Sequence, residues 1–235
     1  MRFFCHEHIL GVGVDFKRLQ PREFITTSAP TTPPSQVKTS DTIDAVSALV
    51  YAEIFANEFD TKLKFIYGSN LNDMGMIGGY GVSDANFATG ARCYTPLRNL
   101  SCIADICWKR KVEPGIFVGY TKNIGSTKNL FNMSNAPANV LIDEIPLLAG
   151  KYEVYGINDN LNSLDHVFGV SPRLKWHMQP VTFATELRYL RAAYAADVTD
   201  SLGKVIPLVD CRGRACGPDQ HVDMLRFIAS AYYWF

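Results

Sequence analysis

Apolar and polar side chains alternate with a period of two along much of this chain, and long amphipathic helices are missing. In the segment from Val181 to Tyr194, one face carries the apolar set and the other a polar set: Val181, Phe183, Thr185, Leu187 and Tyr189 against Thr182, Ala184, Glu186 and Arg188. A period of two is that of a β-strand, whose successive side chains point to opposite sides of the sheet. The segment therefore predicts a strand with one apolar and one polar face.

Seven further segments show the same alternation, which gives about eight predicted strands. They are Leu10–Phe16, Val46–Ala56, Thr61–Tyr67, Cys102–Trp108, Ile116–Tyr120, His166–Trp176 and Leu225–Phe235. Their lengths are about those of tilted strands that cross a lipid bilayer. Pro172 interrupts one of them, and we expect it at a strand bend or bulge.

The predicted connections alternate between short and long. Tight turns are predicted at Glu58–Asp60, Lys111–Pro114 and Met178–Pro180, whereas the links at 19–44, 70–99, 126–163 and 197–220 are long. Loops above about 15 residues are uncommon in compact soluble domains. One long link after every second strand places all of them at the same end of an up-and-down antiparallel sheet, as in transmembrane β-barrels.

Composition excludes some functions and leaves others open. The 235 residues include 23 basic and 23 acidic side chains, so no net field would attract nucleic acid. No stretch approaches the roughly 18 to 20 uninterrupted apolar residues of a membrane-spanning helix. The mean hydropathy of −0.01 fits a chain that averages an apolar face with a charged one.

Four short motifs carry a resemblance to a known family. They are the run from Gly115 to Gly125 (GIFVGYTKNIG), Val170–Trp176 (VSPRLKW), Glu186–Tyr189 (ELRY) and the closing Tyr232–Phe235 (YYWF). With these motifs the chain resembles the outer-membrane porins of Gram-negative bacteria, most closely the DcaP-like family of porin-like barrels. The resemblance extends over most of the chain.

The resemblance implies the fold, the location and the partners. The expected fold is an all-β, antiparallel up-and-down transmembrane β-barrel, with residues 1–235 forming a single outer-membrane domain. The expected partners are outer-membrane lipid, the barrel-assembly machinery that recognises the C-terminal Phe235, small solutes that diffuse through passively, and two further copies in a homotrimer. No cofactor, catalytic activity or nucleic-acid partner is expected.

Porins of this group have about twice as many strands as the sequence predicts, and the first residues lack the apolar region of a signal peptide. We therefore expect the chain to correspond to the C-terminal half of such a barrel. A closed barrel of about eight strands leaves no aqueous channel, whereas about 16 strands leave one. Two alternatives stay open: a small closed outer-membrane barrel with adhesive outer loops, and a soluble β-sandwich or lipocalin-like carrier.

The polar faces supply candidate pore-lining residues. The cations are Lys17, Lys62, Lys64, Lys109, Arg173, Lys175, Arg188 and Arg226, and the anions are Asp15, Glu53, Asp105, Asp165 and Glu186. Because rings of charge select ions by sign, this excess of cations predicts a mild preference for anionic or zwitterionic solutes. The alternative is that these charges form ion-pair ladders that hold neighbouring strands in register.

Aromatic residues near predicted strand ends are candidates for the membrane interface, where their rings meet both lipid and water: Trp108, Trp176, Tyr233 and Phe235. The six cysteines show no CxxC spacing, so we predict no metal site. Cys211 and Cys216 lie in the last long link, where a small disulfide hairpin is one prediction and two free thiols the other. No nucleophile motif is present, so we expect no enzyme.

Overall fold

The computed structural model describes residues 7–27, 35–71, 77–86, 91–132, 154–155, 164–195, 197–199, 205–207, 209–217 and 220–233. The strands are β1 (Glu7–Leu19), β2 (Phe24–Thr27), β3 (Ser35–Lys38), β4 (Ile43–Phe55), β5 (Phe59–Ser69), β6 (Tyr80–Asn86), β7 (Ala91–Trp108), β8 (Val112–Ser126), β9 (Val154–Tyr155), β10 (Leu164–Met178), β11 (Val181–Tyr194), β12 (Asp197–Thr199), β13 (Val205–Pro207) and β14 (Gln220–Tyr233). Within these ranges no helix is long and apolar enough to cross a membrane.

Eight long strands form one antiparallel sheet whose spatial order follows the chain: β1, β4, β5, β7, β8, β10, β11 and β14. The predicted all-β, antiparallel up-and-down architecture is confirmed, and each of the eight predicted segments overlaps one of these strands. The short strand β6 pairs with β7 and with β9. Among the described residues, β1 and β14 are not paired with each other, so the sheet is open along both edges.

Tight turns and long links leave the sheet at opposite ends, as the alternating connections predict. The tight turns lie at 56–58, 109–111 and 179–180. The first two predicted turns are placed too far along the chain, because Phe59 pairs with Trp108 and Val112 with Trp176. These apolar cross-strand pairs extend β5 and β8 through residues such as Asp60 and Pro114, which the sequence predicts to lie in turns.

The long links contain short strands that the alternation does not predict. A β2–β3 hairpin lies between β1 and β4, and a β12–β13 hairpin lies between β11 and β14. β7 begins at Ala91, well before the predicted Cys102, because β6 pairs with its first residues.

The strand register separates two faces of the sheet, since directly paired residues of antiparallel strands point to the same side. One face exposes most of the large apolar side chains, and we call it the apolar face. Its exposed members include Leu10, Val12, Val14, Phe16, Val46, Val50, Leu63, Phe65, Tyr67, Leu174, Trp176, Phe183, Leu187, Leu225 and Phe227. On β1 these side chains are 61–80% exposed from Leu10 to Phe16. The opposite side, the polar face, buries Ser47, Ser101 and Ser171 almost completely.

Buried apolar side chains gather at the end of the sheet that carries the long links. Leu71, Val82, Leu97 and Leu130 are at most 5% exposed there, and Val209 is 7% exposed. In the main body of the sheet the large side chains of the apolar face are exposed, whereas the serines of the opposite face and Ile66 beside them are buried. Pro172 lies in the middle of the sheet, opposite Ile116, without the predicted bulge. Its ladder to β11 is interrupted at Ser171 and Pro172, and the same register resumes at Arg173.

Candidate functional site

The polar face brings together most of the charged residues proposed to line a pore. Cross-strand pairing sets Glu53 opposite Lys62, Lys62 opposite Asp105, and Arg173 opposite Glu186. These side chains therefore form a continuous charged surface over the strands from β4 to β11. Asp15 and Lys17 on β1 continue the surface to one edge, and Arg226 on β14 continues it to the other.

An arginine lies flat across one strand of this surface. Arg173 on β10 reaches over β8 to β7, where its Nη2 donates to Asp105 Oδ1 at 2.6 Å. Gly115 on β8 lies beneath the side chain, and a Cβ at that position would be 2.9 Å from Arg173 Nε. The crossing thus requires a residue without a side chain at position 115.

Glu186 is the centre of a second tight group. Its Oε1 accepts hydrogen bonds from Arg188 Nε at 3.0 Å and from Arg188 Nη2 at 2.7 Å, together with one from the Ser171 hydroxyl. Ser101 and Thr121 form a further hydroxyl pair at 2.9 Å between β7 and β8. These contacts fix the side chains of the polar face from β7 to β11.

The ion pairs nearer β1 are looser. Lys17 Nζ lies 3.7 Å from Asp15 Oδ2, and Lys62 Nζ lies 3.7 Å from Glu53 Oε2. Lys109 is held at the tight-turn end, where its Nζ lies 2.6 Å from Asp60 Oδ1 and donates to the Ala56 carbonyl.

Three of the predicted cations form no ion pair with any carboxylate in the part of the chain that the structure describes: Lys64, Lys175 and Arg226. By contrast, the proposed anions Asp15, Glu53, Asp105 and Glu186 are each matched by a cation. The described polar face therefore keeps unneutralised positive charge and no unneutralised carboxylate from the predicted set.

Asp165 is arranged differently from the other predicted residues. It lies in an irregularity between β10 and β11, and its carboxylate is 2.6 Å from His166 Nδ1 and 3.7 Å from Lys122 Nζ. By strand register, Lys122 and His166 belong to the same side as Tyr120, which is the apolar face. Asp165 thus joins a charged cluster at the loop end and is not in contact with the other pore-lining candidates.

A turn from the last long link packs against the loop end of β8. Asn123 Nδ2 donates to the Gly213 carbonyl at 3.0 Å, and the backbone N–H groups of Ser126 and Leu130 donate to the carbonyls of Arg212 and Cys211. Since Asn123 is paired with Asn99, next to the Ser101–Thr121 pair, the turn at residues 209–217 lies at the margin of the polar face.

Asp210 organises this turn. Burial by itself would raise the pKa of Asp210. Hydrogen bonds from the backbone and side chain of Arg214 and from the Arg212 N–H have the larger effect, so the pKa of Asp210 lies below its ordinary value. The donors are Arg212 N at 2.8 Å, Arg214 N at 3.0 Å and Arg214 Nε at 2.6 Å. The carboxylate therefore stays ionised and holds the turn closed at neutral pH.

Cys211 and Cys216 are free thiols in this turn, and the predicted disulfide stays a prediction. Burial raises the pKa of the Cys216 thiol. Among the described residues, no group of three or more histidine, cysteine or acidic side chains could hold a metal ion.

The predicted interface aromatics lie at the tight-turn end of the apolar face. Trp108 is paired with Phe59, Trp176 with Phe183, and Tyr233 with Val181. Trp108 and Trp176 are 40% and 46% exposed, and Tyr233 is 63% exposed. Phe235 lies outside the described residues.

Gly115, Asn99 and Asn123 are site residues that the charge pattern misses. Asn99 is fully buried on the polar face, and neither its Nδ2 nor its Oδ1 has a hydrogen-bond partner among the described residues. All three lie just outside the predicted strands, since Asn99 ends a predicted long link and Gly115 and Asn123 flank Ile116–Tyr120. A glycine within a strand often marks the close approach of another group, but that signal requires the strand to be predicted through position 115.

No protein-family model, no curated protein and no solved structure matches this chain. The resemblance to porins rests on the sequence motifs alone.

Proposed function

We propose that this protein is a porin-like channel of a Gram-negative outer membrane, through which small anionic or zwitterionic solutes diffuse passively. One observation carries the proposal: large apolar side chains are exposed over one face of the sheet, while the opposite face carries charge and buries its serines. Contiguous apolar surface of this kind is rare on soluble monomers and is the surface that lipid would cover.

The height of the apolar face supports this assignment. On β11 it extends from Val181 to Tyr189, and the next residue of that face is Arg191. These eight steps cover about 27 Å along the strand at about 3.4 Å per residue. A tilt of about 40° reduces this to about 20 Å, close to the apolar band of outer-membrane barrels.

Both borders of the apolar face have the residues expected at a membrane surface. At the tight-turn end lie Trp108, Trp176 and Tyr233, whose rings suit the interface. At the loop end, charged pairs end the band: Arg18 with Asp44 at 2.6 Å, Arg191 with Asp223 at 2.7 Å, and Lys122 with Asp165 at 3.7 Å. In this orientation the tight turns face the periplasm and the long links face outward.

The unneutralised cations of the polar face support the solute preference. Neither Lys64 nor Lys175 forms an ion pair with a carboxylate among the described residues, although Glu113 on β8 lies directly across the strand from Lys175. Fixed charge of one sign along a water-filled path attracts solutes of the other sign. The path itself requires more than eight strands around it, because an eight-stranded barrel fills its interior with side chains.

Planar-bilayer recording tests the proposal. The purified protein is expected to give discrete conductance steps, with a reversal potential in a KCl gradient that indicates chloride preference. The double substitution Lys64→Gln with Lys175→Gln should move the reversal potential toward the cation-selective side. As a matched control, Arg18→Gln with Arg191→Gln removes two cations from the apolar face and should leave the reversal potential unchanged.

One result would overturn the whole proposal, and another would overturn its solute class alone. A protein that stays soluble without detergent and gives no conductance is not a channel. A pore that prefers potassium in the unmodified protein rejects the anionic solute class while leaving the channel in place. Conductance-free insertion into lipid would favour the closed barrel with binding loops.

A further inference from the structure

A hollow of about 410 Å³ lies in the apolar face, over the strands from β4 to β8. Two small side chains of β7, Cys102 and Ala104, line its middle. The larger residues paired with them on β5 and β8 line its two sides: Phe65, Leu63, Tyr120 and Val118. The hollow is therefore a groove along β7, and its volume is in the range of sites that hold small ligands.

Two cations lie at the loop end of this groove, on the same face. Arg98 precedes Cys102 by four residues on β7, and its Nη1 donates to the Tyr67 hydroxyl at 3.3 Å. Lys122 on β8 is paired with Leu100, which lies between Arg98 and Cys102 on this face. Arg98 and Lys122 are therefore diagonal neighbours on adjacent strands, a spacing that long side chains can span.

The charges along the loop-end border of the apolar face are neutralised unevenly. Arg18 and Arg191, which lie toward the two edges of the sheet, each donate two hydrogen bonds to one carboxylate, at 2.6 to 3.0 Å. Arg98 forms no ion pair with a carboxylate among the described residues, and Lys122 lies 3.7 Å from Asp165. The Asp165 carboxylate is closer, at 2.6 Å, to a histidine nitrogen. The border therefore keeps an excess of positive charge at the end of the groove.

Arg98 is held in place and still has donors to offer. Its Nε donates to the Gly125 carbonyl at 3.2 Å, and its Nη2 donates to the Ser126 carbonyl at 3.3 Å. Together with the bond to Tyr67, these contacts use three of the five guanidinium N–H groups, and all three acceptors are uncharged. A guanidinium fixed in this way is suited to bind a phosphate through its other N–H groups.

We propose that one anionic lipid binds at this position, with its phosphate between Arg98 and Lys122 and an acyl chain in the groove over Cys102 and Ala104. The inference rests on the proposed function, which places lipid against this face, and adds the lipid chemistry that the face recognises. The six steps from Arg98 to Ala104 cover about 20 Å at about 3.4 Å per residue, which gives room for most of an extended acyl chain. Basic side chains clustered at a membrane surface bind anionic lipid headgroups.

Native mass spectrometry of the protein in a nonionic detergent, titrated with dioleoyl phosphatidic acid, measures the affinity. The unmodified protein should bind one such lipid more tightly than it binds dioleoyl phosphatidylcholine, whose headgroup has no net charge. Arg98→Gln with Lys122→Gln should weaken binding of phosphatidic acid by about thirtyfold, because each removed cation costs about fivefold. As a matched control, Arg18→Gln with Arg191→Gln removes two cations of the same border and should leave the affinity nearly unchanged.

Lys122→Gln alone keeps the contacts of Arg98 to Gly125 and Ser126, so it tests the site even if the double variant does not refold. We expect this single substitution to weaken binding of phosphatidic acid by about fivefold.

Filling the groove tests the acyl chain separately from the phosphate. Ala104→Phe should weaken binding of phosphatidic acid, whereas Ala229→Phe makes the same change on the same face of β14, outside the groove, and should not. Bound lipid should also slow the reaction of the Cys102 thiol with a maleimide. Cys93, an exposed thiol nearer the loop end of β7, should keep its rate.

The outcomes separate this inference from the proposed function. A conducting protein in which the double variant binds phosphatidic acid as tightly as the unmodified protein would overturn the inference and leave the channel assignment intact. If inorganic phosphate displaced the lipid and Ala104→Phe had no effect, the site would bind free phosphate, which also overturns the inference. A protein that stays soluble without detergent and gives no conductance would overturn both.

Discussion

The polar face of the sheet has two halves that differ in how their charges are held. From β7 to β11, Arg173 and Arg188 donate hydrogen bonds of 2.6 and 2.7 Å to Asp105 and Glu186. From β1 to β5 the carboxylates are paired with lysines, at 3.7 Å for Asp15 and Glu53 and at 2.6 Å for Asp60. The planar guanidinium fixes geometry, whereas an ammonium on a flexible stem acts as a point charge. The guanidinium contacts therefore hold the side chains of one half in a fixed geometry, whereas the lysines of the other half can change their conformation more freely.

Among substitutions in the two halves, the largest loss in the free energy of unfolding should appear at Gly115. Gly115→Val places a branched side chain under Arg173 and close to the Ile106 carbonyl, which is 3.2 Å from an ideal Cβ. We expect a loss of about 3 kcal/mol in the free energy of unfolding, because both backbone and side chain must move. Urea titration of the refolded protein in detergent measures the change.

Gly13→Ala on β1 is the matched control, since its Cβ meets only the Leu49 side chain at 3.3 Å. A loss at position 13 equal to that at position 115 would contradict the distinction between the halves.

Removal of single cations should give a smaller difference. Arg173→Ala leaves Asp105 without its close partner, and we expect it to cost about 1.5 kcal/mol. Lys62→Ala breaks only an exposed pair and should change stability by less than about 0.5 kcal/mol. The same titration compares them, and equal costs would mean that both halves hold their charges alike.

The smallest expected effect concerns the turn at residues 209–217, which lies against β8 in the tightly held half. Because the pKa of Asp210 is lowered in the folded protein, its carboxylate contributes fully to the stability of the turn above the pKa of an aspartate in the unfolded chain, about 3.9. This contribution is lost as the pH falls through the lower pKa of Asp210 in the folded protein. Protease resistance of the turn should therefore stay constant from pH 7 to about pH 5 and decline only below about pH 4.

Asp210→Asn should remove that dependence by abolishing the charge that Arg214 binds. Loss of resistance near neutral pH in the unmodified protein would mean that another group controls the turn.

The alternation of apolar and polar residues is sufficient to predict the sheet. At Leu10–Phe16 and Val181–Tyr194 one face is apolar at nearly every position, so strand, face and exposure follow from the pattern alone. The pattern fails at the loop end, where the buried face of β7 carries Thr95, Leu97 and Asn99 in succession. Polar and apolar residues share that face, so they do not alternate between the two sides of the strand.

The candidate site was predictable in its charges and not in its contacts. The alternation places Glu53 and Lys62 on polar faces, but a turn centred at the predicted position, Glu58–Asp60, would set Glu53 opposite Phe65; the turn at 56–58 sets it opposite Lys62. The crossing of Arg173 over Gly115 depends on three strands at once, and the departure of Asp165 depends on a local irregularity. No period in the sequence encodes either arrangement.

The alternation of tight turns and long links also determines how the chain can assemble. Closing a loop costs entropy that grows with the logarithm of its length, so a turn of two or three residues is favoured over a link of about 30 by about 2 to 3 kcal/mol. The hairpins β4–β5, β7–β8 and β10–β11 can therefore form as independent units before the sheet joins them. β1 and β14 belong to none of these hairpins, so we expect the two edge strands to be added last.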